Sequence, residues 1–220
     1  MKLLMENWRK YLLTEAAMTV DDLMGEKTVD LYIMARPSFG EGIEFVYAST
    51  DRRGEPYALD YPKYAVTGEI IITPAGSEEI DGPCDNAWQV KYSSAVDKWG
   101  PLLYDVAMEY ATMNGNGLIA DREEVSGHAR AVWDYYLNRR GDVDNHQLDN
   151  IASVLTPEIE VDNCAQDIAA TTDQIVDVGF DPPMDAYQGG WVDSPLSKRY
   201  TKQPTTLNKL IELGRFIDKT

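Results

Sequence analysis

A change of hydrophobic period near residue 100 is the feature that most constrains the fold. Upstream of it, four segments are rich in β-branched and aromatic residues and are separated by turn residues, as is typical of strands: 29–36, 43–50, 65–73 and 87–93. Downstream, Leu102, Val106 and Tyr110 recur at the spacing of one helical face. The order predicts a meander of antiparallel strands followed by a helix.

The boundaries of this helix are also predicted. Gly100 and Pro101 mark its start, since proline is favoured in the first helical turn. Asn114 and Gly115 mark its end, since glycine is favoured just after the last helical residue. Three further elements are predicted in chain order: a short buried strand over 117–120, a helix capped by Ser126 that ends near 139–141, and a terminal helix over 205–214. The predicted fold class is α/β of the α+β kind, with a mixed, mostly antiparallel central sheet flanked by helices.

The chain is strongly acidic, with 20 Lys+Arg against 37 Asp+Glu and a net charge of −17. Such a charge repels phosphate backbones and anionic membranes, so we expect no nucleic-acid or membrane partner. No stretch approaches the roughly 18 apolar residues of a membrane helix. Lys and Arg are absent from 141–195, so residues 144–220 are predicted to form an acidic, loop-rich extension ending in a helix. The Asp and Glu carboxylates of the stretch without Lys or Arg could form a solvated face, a cation-attracting surface or a docking surface for a basic partner.

The two cysteines, Cys84 and Cys164, do not have the spacing of a metal site, and the two histidines are isolated in the sequence. We therefore predict no metal centre. Two thiols do not make a disulfide framework, so reduced cysteines in a cytosolic environment are the simplest interpretation.

Residues 1–15 predict a separate amphipathic helix. Leu4, Trp8 and Leu12 share one helical face, and charged residues occupy the other. The segment resembles the capsid-targeting leaders of T4-like bacteriophage internal head proteins, which end in (Leu/Ile)-x-Glu and are cut by the prohead protease. Leu13-Thr14-Glu15 fits that pattern. The resemblance implies a phage protein packaged in the head and cut after Glu15, with the capsid and the protease as partners. The alternative is a terminal helix docked on the domain.

The segment 90–122 resembles the acetyl-CoA-binding core of GNAT (GCN5-related) N-acetyltransferases, in which a strand feeds a glycine-bearing loop, a helix and a further strand. The resemblance implies a GNAT-like core over 20–143 and acetyl-CoA as cofactor. It implies that the strand beside the pantetheine arm contains Val90, Lys91 and Tyr92. It also implies a pyrophosphate loop made of Lys98, Trp99, Gly100, Pro101, Leu102 and Leu103.

The same resemblance implies catalytic roles. Glu69, on the central strand, is the candidate base for the amine, and Tyr135 or Tyr136 the candidate acid for the leaving thiolate. Backbone N–H groups near the pantetheine strand would hold the thioester oxygen. The acidic stretch would favour a cationic acceptor such as a polyamine or a lysine side chain.

Three hypotheses for function remain open. The first is a GNAT-like acyltransferase that moves an acetyl group from acetyl-CoA to an amine of a small molecule or a protein. The second is a non-catalytic phage virion internal protein that uses the same fold. The third is a head-packaged effector such as an ADP-ribosyltransferase, although no Arg…Ser-Thr-Ser…Glu-x-Glu set is recognisable. The expected location is the host cytoplasm or the virion interior.

Overall fold

The computed structural model describes residues 18–25, 31–38, 40–49, 55–56, 65–75, 82–95, 98–122, 125–150, 155–164 and 190–220. These residues form an α+β structure around one mixed sheet, which confirms the predicted fold class at that level. The predicted helix over 1–15 lies outside the described residues. No helix within the described ranges is long and apolar enough to cross a membrane.

The sheet contains nine strands: β1 Leu31–Pro37, β2 Ile43–Ser49, β3 Glu55–Pro56, β4 Ala65–Pro74, β5 Trp88–Ala95, β6 Leu118–Ile119, β7 Val143–Gln147, β8 Lys198–Lys202 and β9 Phe216–Asp218. Their order across the sheet is β7-β8-β6-β5-β4-β2-β1-β9, and β3 pairs with β4. Neighbours are antiparallel except for β5 with β6 and β1 with β9. The predicted meander of β1, β2, β4 and β5 is confirmed.

Helices complete the described fold: α1 Val20–Gly25, α2 Gly100–Asn114, α3 Gly127–Arg139, α4 Gly190–Asp193 and α5 Thr205–Glu212. Helix α2 begins with Gly100 and Pro101, as predicted. The side chain of Ser126 caps α3 by accepting a hydrogen bond from the Ala129 amide. Helices α2 and α3 and one sheet face enclose the largest apolar cluster, which contains Phe45, Ile70, Leu103 and Trp133.

Described segments from residue 143 onward belong to the same sheet. Strand β8 lies between β6 and β7, and β9 pairs with β1 at the far edge. The predicted boundary at 143 therefore falls at the first residue of β7, and β8 and β9 are sheet strands within the region where we predicted a loop-rich extension. Strand β8 escaped prediction because its buried positions include Lys198 and Lys202, so it lacks an apolar alternation.

A disulfide joins Cys84 to Cys164 across 80 residues, so the prediction of two reduced thiols was wrong. Both residues are buried in a small core cluster with Ala87, Leu148 and Trp191. The spacing of two cysteines in sequence carries no information on such a pairing, which the tertiary contact alone decides. The expectation of a reducing cytosolic environment rested on reduced thiols, so the disulfide removes the support for that expectation.

Candidate functional site

The parallel strands β5 and β6, joined by helix α2, pair only briefly. Trp88 pairs with Leu118 and Gln89 with Ile119. Beyond Gln89, strand β5 continues to Ala95 without a further β6 pair among the described residues. At the same point its register with β4 shifts, because Ile72 pairs with Val90 and Ile71 pairs with Tyr92.

The register shift leaves Lys91 as one extra residue on β5, which is a β-bulge. Bulges end or redirect strand pairing, and they occur often beside active sites. The predicted pantetheine residues Val90, Lys91 and Tyr92 therefore coincide with the place where β5 separates from β6.

The turn that leads from β5 into α2 carries the other predicted cofactor residues. Trp99, Leu102 and Leu103 are buried in the core, whereas Lys98 is exposed and has a positive φ of 73°. The Trp99 side chain does not cap the start of α2, and the Leu102 N–H donates to the Trp99 carbonyl oxygen at 3.2 Å. Among the described residues, a Cβ added at Gly100 would meet only the Ala95 methyl, at 4.0 Å, so this position has room for a side chain. Uncapped N–H groups at a helix start attract anions.

A pair of hydroxyl groups adjoins the bulge. The Tyr104 hydroxyl, on the first turns of α2, lies 2.9 Å from the Ser93 hydroxyl on β5. Tyr104 is 3% exposed and packs edge-on against Trp133, whereas Ser93 is exposed. Burial raises the pKa of Tyr104, and the hydrogen bond with Ser93 partly opposes this. Tyr104 therefore stays protonated at neutral pH. No sequence pattern indicates this pair, because Ser93 and Tyr104 lie on a strand and a helix that meet only in the folded protein.

The predicted acid Tyr136 has its hydroxyl engaged inside the protein. It lies 2.9 Å from the Pro101 carbonyl oxygen and 2.8 Å from Oδ1 of Asp105, both of which accept hydrogen bonds. Burial raises the pKa of Tyr136 well above its ordinary value, and Asp105 raises it further. The single hydroxyl proton of Tyr136 therefore serves the contact between α3 and α2.

Tyr135 contributes its ring to the surroundings of Arg140, whose guanidinium carbon lies 5.9 Å from the ring centroid. Arg140 bridges two carboxylates, with 3.0 Å to Asp105 Oδ1 and 2.7 Å to Asp142 Oδ1. Burial acts to lower the pKa of Arg140, but hydrogen bonds with Asp142 and Asp105 raise it overall. The hydrogen bond with Arg140 lowers the pKa of Asp142 to about 2. Burial raises the pKa of Asp105, although Arg140 opposes the shift.

A second ion pair lies deeper on the same side of α2. Glu109 is fully buried, forms an ion pair with Lys202, and accepts hydrogen bonds from the Thr206 and Leu207 amides at 2.9 and 2.7 Å. Its carboxylate thus caps the start of α5, while Lys202 also donates to the hydroxyl groups of Thr205 and Thr206. This network fastens α5 and the end of β8 to α2.

A cleft of about 390 Å³ opens over this ionic region. Among the predicted site residues, Pro101, Leu102 and Tyr135 line it. Its lining carries three carboxylates and three cations, so the formal charges cancel: Asp21, Asp105, Asp142, Arg140, Lys202 and Lys209. Each cation is paired with a carboxylate of this structure, which indicates a structural role for the charges.

Glu69, the predicted base, lies on the other face of the sheet. Its neighbour Ile70 faces the core under α2, and alternate strand residues point to opposite faces. Burial raises the pKa of Glu69, and the carboxylate of Glu44 raises it further. Glu44 is itself held by Arg36, with Nε donating at 2.8 Å. The sheet therefore separates Glu69 from Tyr135 and Tyr136.

The structure thus brings only part of the predicted site together. Val90, Lys91 and Tyr92 lie on β5, eight to ten residues before the start of α2, while Tyr136 contacts α2 from the side of α3. No protein-family model matches this chain, and comparisons with curated proteins and with solved structures give no match either.

Proposed function

We propose that this protein is a GNAT-like acyltransferase that moves an acetyl group from acetyl-CoA to an amine of a small molecule or a protein. One observation carries the proposal: β5 separates from β6 at the Lys91 bulge, and a helix start with no side-chain cap from its N-cap residue follows at Gly100, nine residues later. A strand–turn–helix–strand unit with this opening suits a cofactor whose extended arm leads to a diphosphate.

In this proposal the pantetheine arm lies along the side of β5 that has no β6 partner beyond Gln89 among the described residues. Extended ligands that carry amide groups bind exposed strand edges through main-chain hydrogen bonds, as in strand addition. Val90, Lys91 and Tyr92 are the residues at that edge. The diphosphate then meets the start of α2, where backbone N–H groups and the helix dipole favour an anion.

The chemistry requires a deprotonated amine that attacks the thioester carbon. Burial and the carboxylate of Glu44 raise the pKa of Glu69 above its ordinary value. This supports a base role, since a carboxylate with a raised pKa holds an accepted proton more readily. Because Glu69 pairs in register with Ser94 of β5, it lies one strand away from the opening, on the face opposite α2. The acceptor therefore approaches from that face, where the Glu69 carboxylate favours a cation, since Glu44 is already paired with Arg36.

Binding of acetyl-CoA is the direct test. Ligand at 100 times its dissociation constant stabilises the folded state by about 2.7 kcal/mol. For a chain of this size we expect the melting temperature to rise by roughly 5 to 10 °C. No rise at millimolar acetyl-CoA, together with no heat in titration calorimetry, would exclude the proposed cofactor.

A charge variant distinguishes binding at the helix start from binding elsewhere. Gly100→Glu places a carboxylate where we propose the diphosphate, in open space and with no positive φ to strain. We expect it to weaken acetyl-CoA binding at least tenfold without loss of stability. Gly141→Glu is the matched control, because a Cβ there also meets nothing within 4 Å among the described residues and the position lies in the turn between α3 and β7. Equal affinity of the two variants would contradict the assignment.

The second candidate is a non-catalytic phage virion internal protein. The Cys84–Cys164 disulfide favours it, because disulfides are rare in a reducing cytosol and persist in particles outside the cell. Mass spectrometry of purified virions tests it together with the leader. Peptides that start at Ala16, with none spanning Glu15–Ala16, are the expected result, and absence of the protein from virions would overturn it.

A further inference from the structure

We propose that the Ser93–Tyr104 hydroxyl pair donates a hydrogen bond to the sulfur of the cofactor, and so stabilises the thiolate that leaves in acyl transfer. This inference deepens the proposed function and rests on it. It assigns the role that the sequence analysis gave to Tyr135 or Tyr136 to Tyr104 of α2, which acts through Ser93 of β5.

Ser93 lies at the edge of β5 where we propose that the cofactor binds. It follows the Lys91 bulge by two residues, on the part of β5 that has no β6 pair in the described chain. Its side chain is exposed, so its hydroxyl can reach a ligand held along that edge. Tyr104 stands behind it, with the two oxygens 2.9 Å apart. A buried phenol that donates to Ser93 leaves the serine proton free to point at a ligand.

The hydroxyl groups of the two neighbouring tyrosines, Tyr135 and Tyr136, are not directed at the β5 edge. Tyr136 gives its only hydroxyl proton to the Pro101 carbonyl and the Asp105 carboxylate. Tyr135 lies on the cleft side, beside Arg140. Tyr104 itself is held by edge-on packing against Trp133 and a tilted contact with Tyr136, and neither partner is charged at neutral pH. Of these three hydroxyl groups, that of Tyr104 is the one directed at the β5 edge.

The step balances without transfer of the phenol proton. The amine nitrogen bonds the thioester carbon and loses one proton to the base or to water, and the C–S bond breaks with its electron pair on sulfur. The Ser93 hydroxyl donates to this sulfur while Tyr104 donates to Ser93. The thiolate then takes a proton from water, and the products are the acetylated amine and free CoA. A donor aimed at the position where charge develops is a strong catalytic contribution.

The test measures the thiol pKa of bound CoA, which requires no acceptor. The ultraviolet absorbance of the thiolate is followed as pH rises, with the acetyl-CoA complex as reference for protein absorbance. A hydrogen bond to the charged sulfur should lower the thiol pKa by about one unit relative to free CoA. Tyr104→Phe and Ser93→Ala should each remove at least half of that shift while CoA still binds.

Lys91 and Lys98 also lie near this edge, and their positive charges would lower the same pKa. Both remain in every variant, so a difference between variants reports on the hydroxyl pair. Tyr110→Phe is the matched control, since it removes a phenol from the same helix where the ring packs against Phe45 and Trp88. Tyr110→Phe should keep the full shift.

The outcomes separate the two proposals. If CoA binds and Tyr104→Phe and Ser93→Ala retain the full shift, the hydroxyl pair has no role and the proposed function stands. If neither CoA nor acetyl-CoA binds, both proposals are overturned. Should Tyr104→Phe fold poorly, the exposed Ser93→Ala substitution decides the question alone.

Discussion

The two sides of helix α2 differ in how their polar groups are satisfied. On the side of α3 and α5, charged groups are paired within the protein: Arg140 with Asp105, and Lys202 with Glu109. On the side of β5, which we call the open side, Ser93 is exposed and Gly100 has room for a side chain among the described residues. The Ser93 hydroxyl hydrogen-bonds that of Tyr104. Closed ionic networks fasten elements together, whereas an exposed hydroxyl beside a strand gap is accessible to a ligand.

The largest expected effect on stability comes from breaking the ion pairs on the side of α2 that faces α3 and α5, which we call the closed side. Glu109→Ala leaves Lys202 buried without its counter-ion and uncaps α5, so the free energy of unfolding should fall by about 3–5 kcal/mol. Urea denaturation measures the loss. Glu212→Ala, on the exposed end of α5, should change stability by less than about 0.5 kcal/mol. A loss below about 1 kcal/mol for Glu109→Ala would contradict a fastening role.

The next effect concerns the disulfide, which lies in a separate core cluster. Replacing both Cys84 and Cys164 by Ala should lower the free energy of unfolding by about 2–5 kcal/mol, because the bond closes an 80-residue loop. This loss should add to that of Glu109→Ala, since the two sites share no partner. Reduction of the wild-type protein should match the Cys84→Ala/Cys164→Ala variant. Marked non-additivity would mean that the two regions act as one unit.

Acid should weaken the closed side through Asp142. Its folded pKa of about 2 lies below the unfolded value, so its contribution is present above about pH 4 and is lost as pH falls toward 2. Because its side chain is 54% exposed, we expect less than about 1 kcal/mol. Asp142→Asn should therefore be slightly less stable than wild type at pH 7 and equal to it at pH 2. A constant difference across this range would mean that the charge of Asp142 does not stabilise the fold.

The smallest expected effect is on the open side. Gly100→Glu should leave the free energy of unfolding unchanged or raise it by a few tenths of a kcal/mol, because a carboxylate favours a helix start. The same measurement on Ser93→Ala should stay within about 0.5 kcal/mol. A loss above about 2 kcal/mol for either variant would mean that this side is structural as well, and the contrast between the two sides of α2 would disappear.

Local periodicity was enough to predict much of the architecture. Strands β1, β2, β4 and β5 follow from runs of β-branched and aromatic residues, and α2 from an apolar face that begins after Gly100 and Pro101. Ser126 caps α3 as expected, because a cap depends on residues three apart in sequence. Strand β8 could not be predicted, since two of its buried residues are lysines, and the carboxylate that pairs with Lys202 is Glu109, which is distant in sequence.

By itself, the sequence determined the strands β1, β2, β4 and β5 and the helices α2 and α3, and that the chain is acidic, because these depend on neighbouring residues or on composition. Only the tertiary structure decided what meets across long separations: the disulfide of Cys84 with Cys164, the ion pair of Glu109 with Lys202, and the contact of Ser93 with Tyr104. It also turned Tyr136 inward and left Glu69 on the opposite face. The physical reason is that burial and pairing set the energy and reactivity of a polar group, and neither is encoded in its local pattern.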